Sequence, residues 1–128
     1  MPEPRLEHLN LTSSDPQAMA AMLGDLFGWH IRWQGEAKDG GHTIHVGNDD
    51  TYLAVYAPKT QVAAKTNNNY ATTGGLNHVG VVVDDIDAVE AKVIARGLTP
   101  TMHGDYEPGR RFYFHDPDGI EFEVVSYS

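Results

Sequence analysis

LEHLNLTSSD (6–15) and LNHVGVVVDD (76–85) are weak duplicates of one another. At an offset of 70 they place Leu6 on Leu76, His8 on His78, Leu11 on Val81 and Asp15 on Asp85. An internal repeat constrains a fold strongly, because the local structure of one half implies that of the other. A chain of 128 residues has room for two such modules in one domain.

Each duplicate reads as a strand that ends in polar residues able to cap a helix. In the first half, Asp15 offers the cap and Pro16 the first helical position. Met19, Met22, Leu23, Leu26 and Phe27 then recur at helical spacing, and Gly28 supplies the stop. In the second half Asp84 or Asp85 caps, Ile86, Val89, Val93 and Ile94 make the apolar stripe, and Arg96 and Gly97 end it. Strand-like runs follow each helix. They are WHIRWQ (29–34), HTIHV (42–46) and TYLAVYA (51–57), then LTPTMH (98–103), RRFYFH (110–115) and IEFEVVS (120–126). Asp116-Pro117-Asp118-Gly119 fits a type I turn before the last strand. The expected fold is therefore α+β: two βαβββ modules, about 1–57 and 76–128, joined by a polar linker over 58–75.

Composition narrows the function classes. A net charge of −9 and a pI near 5.0, with nine scattered basic residues, argue against polyanionic partners, so no nucleic-acid partner is expected. Cysteine is absent, which removes disulfides and thiol chemistry. No apolar run approaches the roughly 20 residues of a membrane span, and residues 1–10 lack signal-peptide character. A cytoplasmic protein without membrane contact is expected.

The repeat also places the chemistry-bearing residues. Glu121 and Glu123 lie two apart on the last strand and share a face, with Ile120, Phe122 and Val124 on the other. TYLAV (51–55) aligns with IEFEV (120–124) at an offset of 69, so Glu123 stands where the first half has Ala54. Leu9 and Leu11, like Val79, Val81 and Val83, should pack on the helices. That leaves His8 and His78 on the face that carries Glu123. Two imidazoles and a carboxylate would converge if the modules curve toward each other.

Other candidates are weaker in pattern. His115, two residues after Tyr113, is a candidate second partner or general acid–base group. Glu121, nearer the turn, is read as a solvated or rim residue. His42 and His45 should face opposite ways, and His30 should be solvated. Asn10 and Tyr52 share the His8 face, and Trp33 and Phe112 are read as cavity wall or core. The segment MHGDYEPGRR (102–111) is either a plain hairpin connection or a loop offering Arg110 or Arg111 to an anionic group.

With these residues in place, the chain resembles the vicinal oxygen chelate superfamily, which includes glyoxalase I, extradiol dioxygenases, methylmalonyl-CoA epimerase and the fosfomycin and bleomycin resistance proteins. HDPDGIEFEVV carries the resemblance most strongly, followed by LNHVGVVVDDID and LEHLNLTSSDP. It implies paired βαβββ modules forming a cupped mixed sheet with the helices outside, often completed in a homodimer. It also implies up to four metal ligands, at positions that here are His8, Ala54, His78 and Glu123. Alanine cannot ligate, so His8, His78 and Glu123 remain, a set that suits Fe, Mn, Ni, Zn or Co. The implied function is a metal-dependent enzyme on a small molecule with vicinal oxygens. Its chemistry would be that of a lyase, an isomerase or a ring-cleaving dioxygenase, with Glu123, His115 and Tyr113 as catalytic candidates. The alternative the resemblance offers is a metal-free small-molecule or antibiotic binding protein of the bleomycin resistance type.

Overall fold

The computed structural model describes residues 3–64 and 69–128. Part of the expected linker, residues 65–68, lies outside the described residues. The chain forms two compact units, Met1–Ala63 and Ala64–Ser128. The first runs β1 (His8–Thr12), α1 (Pro16–Phe27), β2 (His30–Glu36), β3 (His42–Gly47) and β4 (Tyr52–Ala57). The second runs β5 (Val79–Val82), α2 (Ile86–Ala95), β6 (Thr101–Tyr106), β7 (Gly109–His115) and β8 (Glu121–Ser126). Each has one four-stranded mixed sheet, ordered β1-β4-β3-β2 and β5-β8-β7-β6. In each, the first strand runs parallel to the last and the other pairings are antiparallel. This is the α+β, twice-βαβββ fold expected from the repeat.

Local chemistry explains the boundaries. Asp15 accepts a hydrogen bond from the Ala18 amide at 3.1 Å, and Asp85 does the same for Ala88 at 3.1 Å. These are equivalent N-caps, each satisfying one of the free amides of a helix start. Gly28 closes α1 at φ 70°, a left-handed conformation that favours glycine. Met19, Met22, Leu23 and Leu26 of α1 are buried, as are Ile44 and Val46 of β3 and Val55 of β4. In the second unit, Ile86, Val89 and Val93 of α2 join Phe112, Phe114, Phe122 and Val124.

Two expected core residues are not in the core. Leu9 is 39% exposed, because β1 is an edge strand and α1 packs across β2, β3 and β4. Ile94 is 58% exposed. It sits about 100° round the helix from Val93, beyond the stripe that α2 turns toward β7 and β8. Among the described residues no helix is long and apolar enough to cross a membrane.

The turn before β8 is built around Asp116. The Gly119 amide reaches its carbonyl at 2.9 Å, and its buried carboxylate accepts from the amides of Asp118 at 3.0 Å and Ile120 at 2.8 Å. Asp116→Ala would leave both amides without this acceptor, so a loss of about 1–3 kcal/mol in urea denaturation is expected. Asp116→Asn keeps an oxygen acceptor and should lose less.

Candidate functional site

Sheet register decides which side chains share a face. Asn10 pairs with Ala54 on β1 and β4, and Gly80 with Glu123 on β5 and β8. The offsets of 70 and 69 therefore hold in three dimensions, and Ala54 is the structural counterpart of Glu123. In the second unit, His115 pairs with Glu121 and Tyr113 with Glu123 across β7 and β8. The face away from α2 thus carries His78, Glu121, Glu123, Arg111, Tyr113 and His115.

His78 is the hub of this face. Its Nε2 lies 3.2 Å from Glu123 Oε1. Its Nδ1 lies 3.1 Å from the Tyr70 hydroxyl and 3.5 Å from Glu121 Oε2. Tyr113 approaches edge-on, with ring centroids 5.5 Å apart. Glu123 is held from its other side, where Arg111 Nη1 donates to Oε2 at 2.9 Å. Both partners of that ion pair are largely buried, at 14% and 13% side-chain exposure. Burial, and then the charge of Glu123, push the Tyr113 phenol up, which keeps it a hydrogen-bond donor beside the carboxylate.

Glu121 is not the solvated rim residue that strand position implied. It is 9% exposed and accepts a hydrogen bond from the Tyr70 hydroxyl, and His115 Nε2 lies 3.4 Å from its other oxygen. Tyr70 comes from one turn of 3-10 helix, Asn69–Ala71, inside the stretch read as linker. The Asn69 amide donates to the Leu76 carbonyl at 2.9 Å, and a Cβ at Gly75 would stand 2.4 Å from the Asn69 carbonyl oxygen. Only glycine fits there, so the Gly74-Gly75 pair was the sequence sign that this stretch is built rather than slack.

The bond to Glu121, then burial, pushes the Tyr70 phenol up to about 12. A pKa raised on folding gives stability that is complete below the unfolded value of 10.0 and is lost as pH climbs toward about 12. In an alkaline absorbance titration Tyr70 should ionise at about 12, and Tyr70→Phe should remove that step.

In the first unit His8 has different partners. Its Nδ1 lies 3.0 Å from Glu7 Oε1, and the hydrogen bond to His8 holds the Glu7 carboxyl below its usual value. The His8 ring stacks on Tyr52 at 4.9 Å, Tyr52 stacks on His45 at 4.5 Å, and His45 meets Trp33 at 5.1 Å. Burial, then the charges of His8 and Arg32, pull the His45 imidazole down, favouring its neutral form. His42 alternates to the other face of β3 from His45, and His30 is exposed, 3.8 Å from Asp49. Phe112 is 1% exposed and belongs to the core, whereas Trp33 is 52% exposed. The 102–111 segment is a hairpin of β6 and β7. Its arginines are both engaged, Arg110 with Asp87 at 2.9 Å and Arg111 with Glu123.

The donor set fits a divalent cation in part. Two ligands about 2.1 Å from one ion and at right angles stand about 3.0 Å apart. His78 Nε2 and Glu123 Oε1 have that spacing, and the hydrogen bonds behind them are of the kind that orient metal ligands. Among the described residues no three His, Asp or Glu side chains gather as a metal centre, so this pair needs a further ligand.

Over residues 5–124 the chain matches the Glyoxalase/Bleomycin resistance protein/Dioxygenase superfamily, and it belongs to that family. It is similar in structure to a glyoxylase/bleomycin resistance protein/dioxygenase domain from Frankia sp. EAN1pec, with 16% identity, 98% of each chain covered and a TM-score of 0.80. The trypanothione-dependent glyoxalase I of Leishmania major is 16% identical over 98% of this chain and 88% of that one, with a TM-score of 0.79. A mutant of the fosfomycin resistance protein FosX from Listeria monocytogenes was solved with Mn(II) and 1S,2S-dihydroxypropylphosphonic acid. It is 16% identical over 94% of this chain and 90% of that one, with a TM-score of 0.69. At such identities the likeness shows the fold alone. No curated protein sequence matches the chain.

Proposed function

We propose that this protein is a divalent-metal-dependent enzyme acting on a small molecule that chelates the ion through two adjacent oxygens. His78 and Glu123 would hold the ion with His8 as third ligand, from the same chain or from the partner in a homodimer. The observation that carries this reading is the 3.2 Å approach of His78 Nε2 to Glu123 Oε1, each backed by its own hydrogen-bonding partners. His8 Nδ1 lies 3.0 Å from Glu7 Oε1, a contact that would leave Nε2 as its ligating nitrogen. A fold neighbour solved with Mn(II) supports the reading.

A bound ion would supply Lewis-acid stabilisation of negative charge developing on the substrate oxygens. The protein groups have separate tasks. Arg111 fixes the Glu123 carboxylate, leaving Oε1 for the ion or for a substrate proton. Tyr113 donates from beside it, and His115 is a proton carrier at the edge of the same face. We place the reaction among lyase, isomerase and ring-cleaving dioxygenase chemistries, in a cytoplasmic setting. The row of rings formed by His8, Tyr52, His45 and Trp33 favours a second reading, metal-free capture of a planar small molecule or antibiotic.

Elemental analysis of the untagged protein, purified without chelators, separates the two. Near-stoichiometric metal that falls in His8→Ala, His78→Ala and Glu123→Ala supports the enzyme reading. Iron then directs assays to catechol cleavage, and nickel, cobalt or zinc to isomerase and lyase screens. Failure to take up any metal after reloading would sink it in favour of ligand capture. Mixing His8→Ala with Glu123→Ala protein locates the third ligand, because an intact site reappears in mixed dimers only when it is shared between subunits.

A further inference from the structure

The hairpin of β6 and β7 carries an aromatic ring that the proposed chemistry does not use. Gly104 pairs with Arg111 across these strands, and Tyr106 pairs with Gly109 nearer the tip. Alternation puts Gly104, Tyr106 and Arg111 on the face that carries Glu123. The Tyr106 ring lies back along its own strand. A Cβ at Gly104 would stand 2.5 Å from Tyr106 Cε1 and 3.2 Å from Cδ1, so the ring uses space that only glycine leaves. There Arg111 Cζ lies over the ring, 4.9 Å from its centroid.

Hydrogen bonding by itself does not fix the Arg111 guanidinium. Nη1 donates to Glu123 at 2.9 Å, but Nη2 reaches the Gly109 carbonyl only at 3.4 Å, and the buried Nε finds no hydrogen-bond partner. An aromatic face stacked on a guanidinium supplies the missing constraint and keeps water off one side of its plane. Tyr106 is 62% exposed, whereas the side chain of Arg111 against it is largely buried. A tyrosine so exposed adds little to the core, and its contact with Arg111 accounts for its place.

We propose that Tyr106, seated by Gly104, is a positioning residue that holds the Arg111 guanidinium against Glu123 and so fixes which carboxylate oxygen faces His78. The hold on Arg111 stands on this geometry alone, whereas its value for ligation rests on the metal reading given above.

The test is ¹⁵N-edited NMR of the metal-free protein, read at the Arg111 Nε–H, a signal that Arg111→Lys identifies. In wild type this proton should be shifted upfield by the Tyr106 ring and exchange slowly with water. Tyr106→Ala should remove the shift and speed the exchange, and Tyr106→Phe, which keeps the ring, should preserve both. Gly104 has no left-handed φ, so Gly104→Ala meets no backbone strain and should act by displacing the ring. In the Tyr106→Ala background it should therefore change nothing further. Zinc titrated into the same samples should bind about 3–10-fold more weakly in Tyr106→Ala, the strength of one cation–π contact, and normally in Tyr106→Phe. The proposal is overturned if the wild-type Nε–H exchanges freely, or if Tyr106→Ala leaves its shift and exchange unchanged. If Gly104→Ala still acts without the Tyr106 ring, the seating by Gly104 is overturned. If the guanidinium loosens and zinc affinity does not fall, the part in ligation is overturned while the metal reading stays. If it loosens and wild-type protein takes up no divalent metal, the hold on Arg111 stands and the metal reading falls.

Discussion

On the proposed metal reading, Glu123→Ala is expected to lose both metal and stability. In the metal-free protein Arg111 would keep its charge, largely buried, with its carboxylate partner gone. Removing one member of a paired, largely buried set of charges leaves the other without its compensation, so Glu123→Ala should lower the urea midpoint. The double variant Arg111→Leu/Glu123→Leu should recover much of that loss, because it removes both charges together. Metal affinity should fall by more than about 100-fold, beyond the range for outer partners. Urea denaturation with and without metal separates these effects. Metal at 100 times its dissociation constant should stabilise wild type by about 2.7 kcal/mol and the variant hardly at all. Equal stabilisation of both would remove Glu123 from the site.

The second large effect belongs to the core beneath the site. Phe114 is fully buried, stacked on Phe122 at 5.2 Å with ring planes 9° apart and adjoined by Phe112 at 6.5 Å. Phe114→Ala should destabilise by about 3–5 kcal/mol, through lost apolar burial and a cavity that the two remaining rings cannot collapse to fill. Phe114→Leu, closer in volume, should lose no more than about 1.5 kcal/mol. Guanidinium or urea melts measure both. An alanine loss below about 1 kcal/mol would mean that the second unit is not held by this aromatic cluster. The core and the site are coupled through β7 and β8, whose alternate residues are Phe112 and Phe114 on one face and Tyr113 and Glu123 on the other.

Much of this was legible in the residues. The duplication, read with strand and helix periods, placed all eight strands and both helices within a few residues. It succeeded because capping, turn and alternation signals are local and occur twice. Asp15 and Asp85 each cap their helix, and Asp116 builds its turn within five residues of chain. The offset argument also matched Ala54 to Glu123 correctly, since backbone pairing transmits register faithfully along a strand.

What the chain alone could determine, then, was which residues share a strand face. Tertiary structure decided which of them touch. Glu121 read as solvated because period-2 alternation reports a face but not what covers it. Tyr70, which covers it, is 51 residues away in a stretch whose composition resembles a linker. Arg111 read as part of either a plain hairpin connection or a loop for an incoming anion, whereas its partner Glu123 waits on the neighbouring strand. Leu9 and Ile94 carry the right hydrophobicity at the right spacing and remain exposed, because burial depends on where a helix lands on a sheet. Local sequence sets conformation through short-range sterics and hydrogen bonds. Charge pairing and burial depend on residues far apart in the chain, and only the packed structure brings those together.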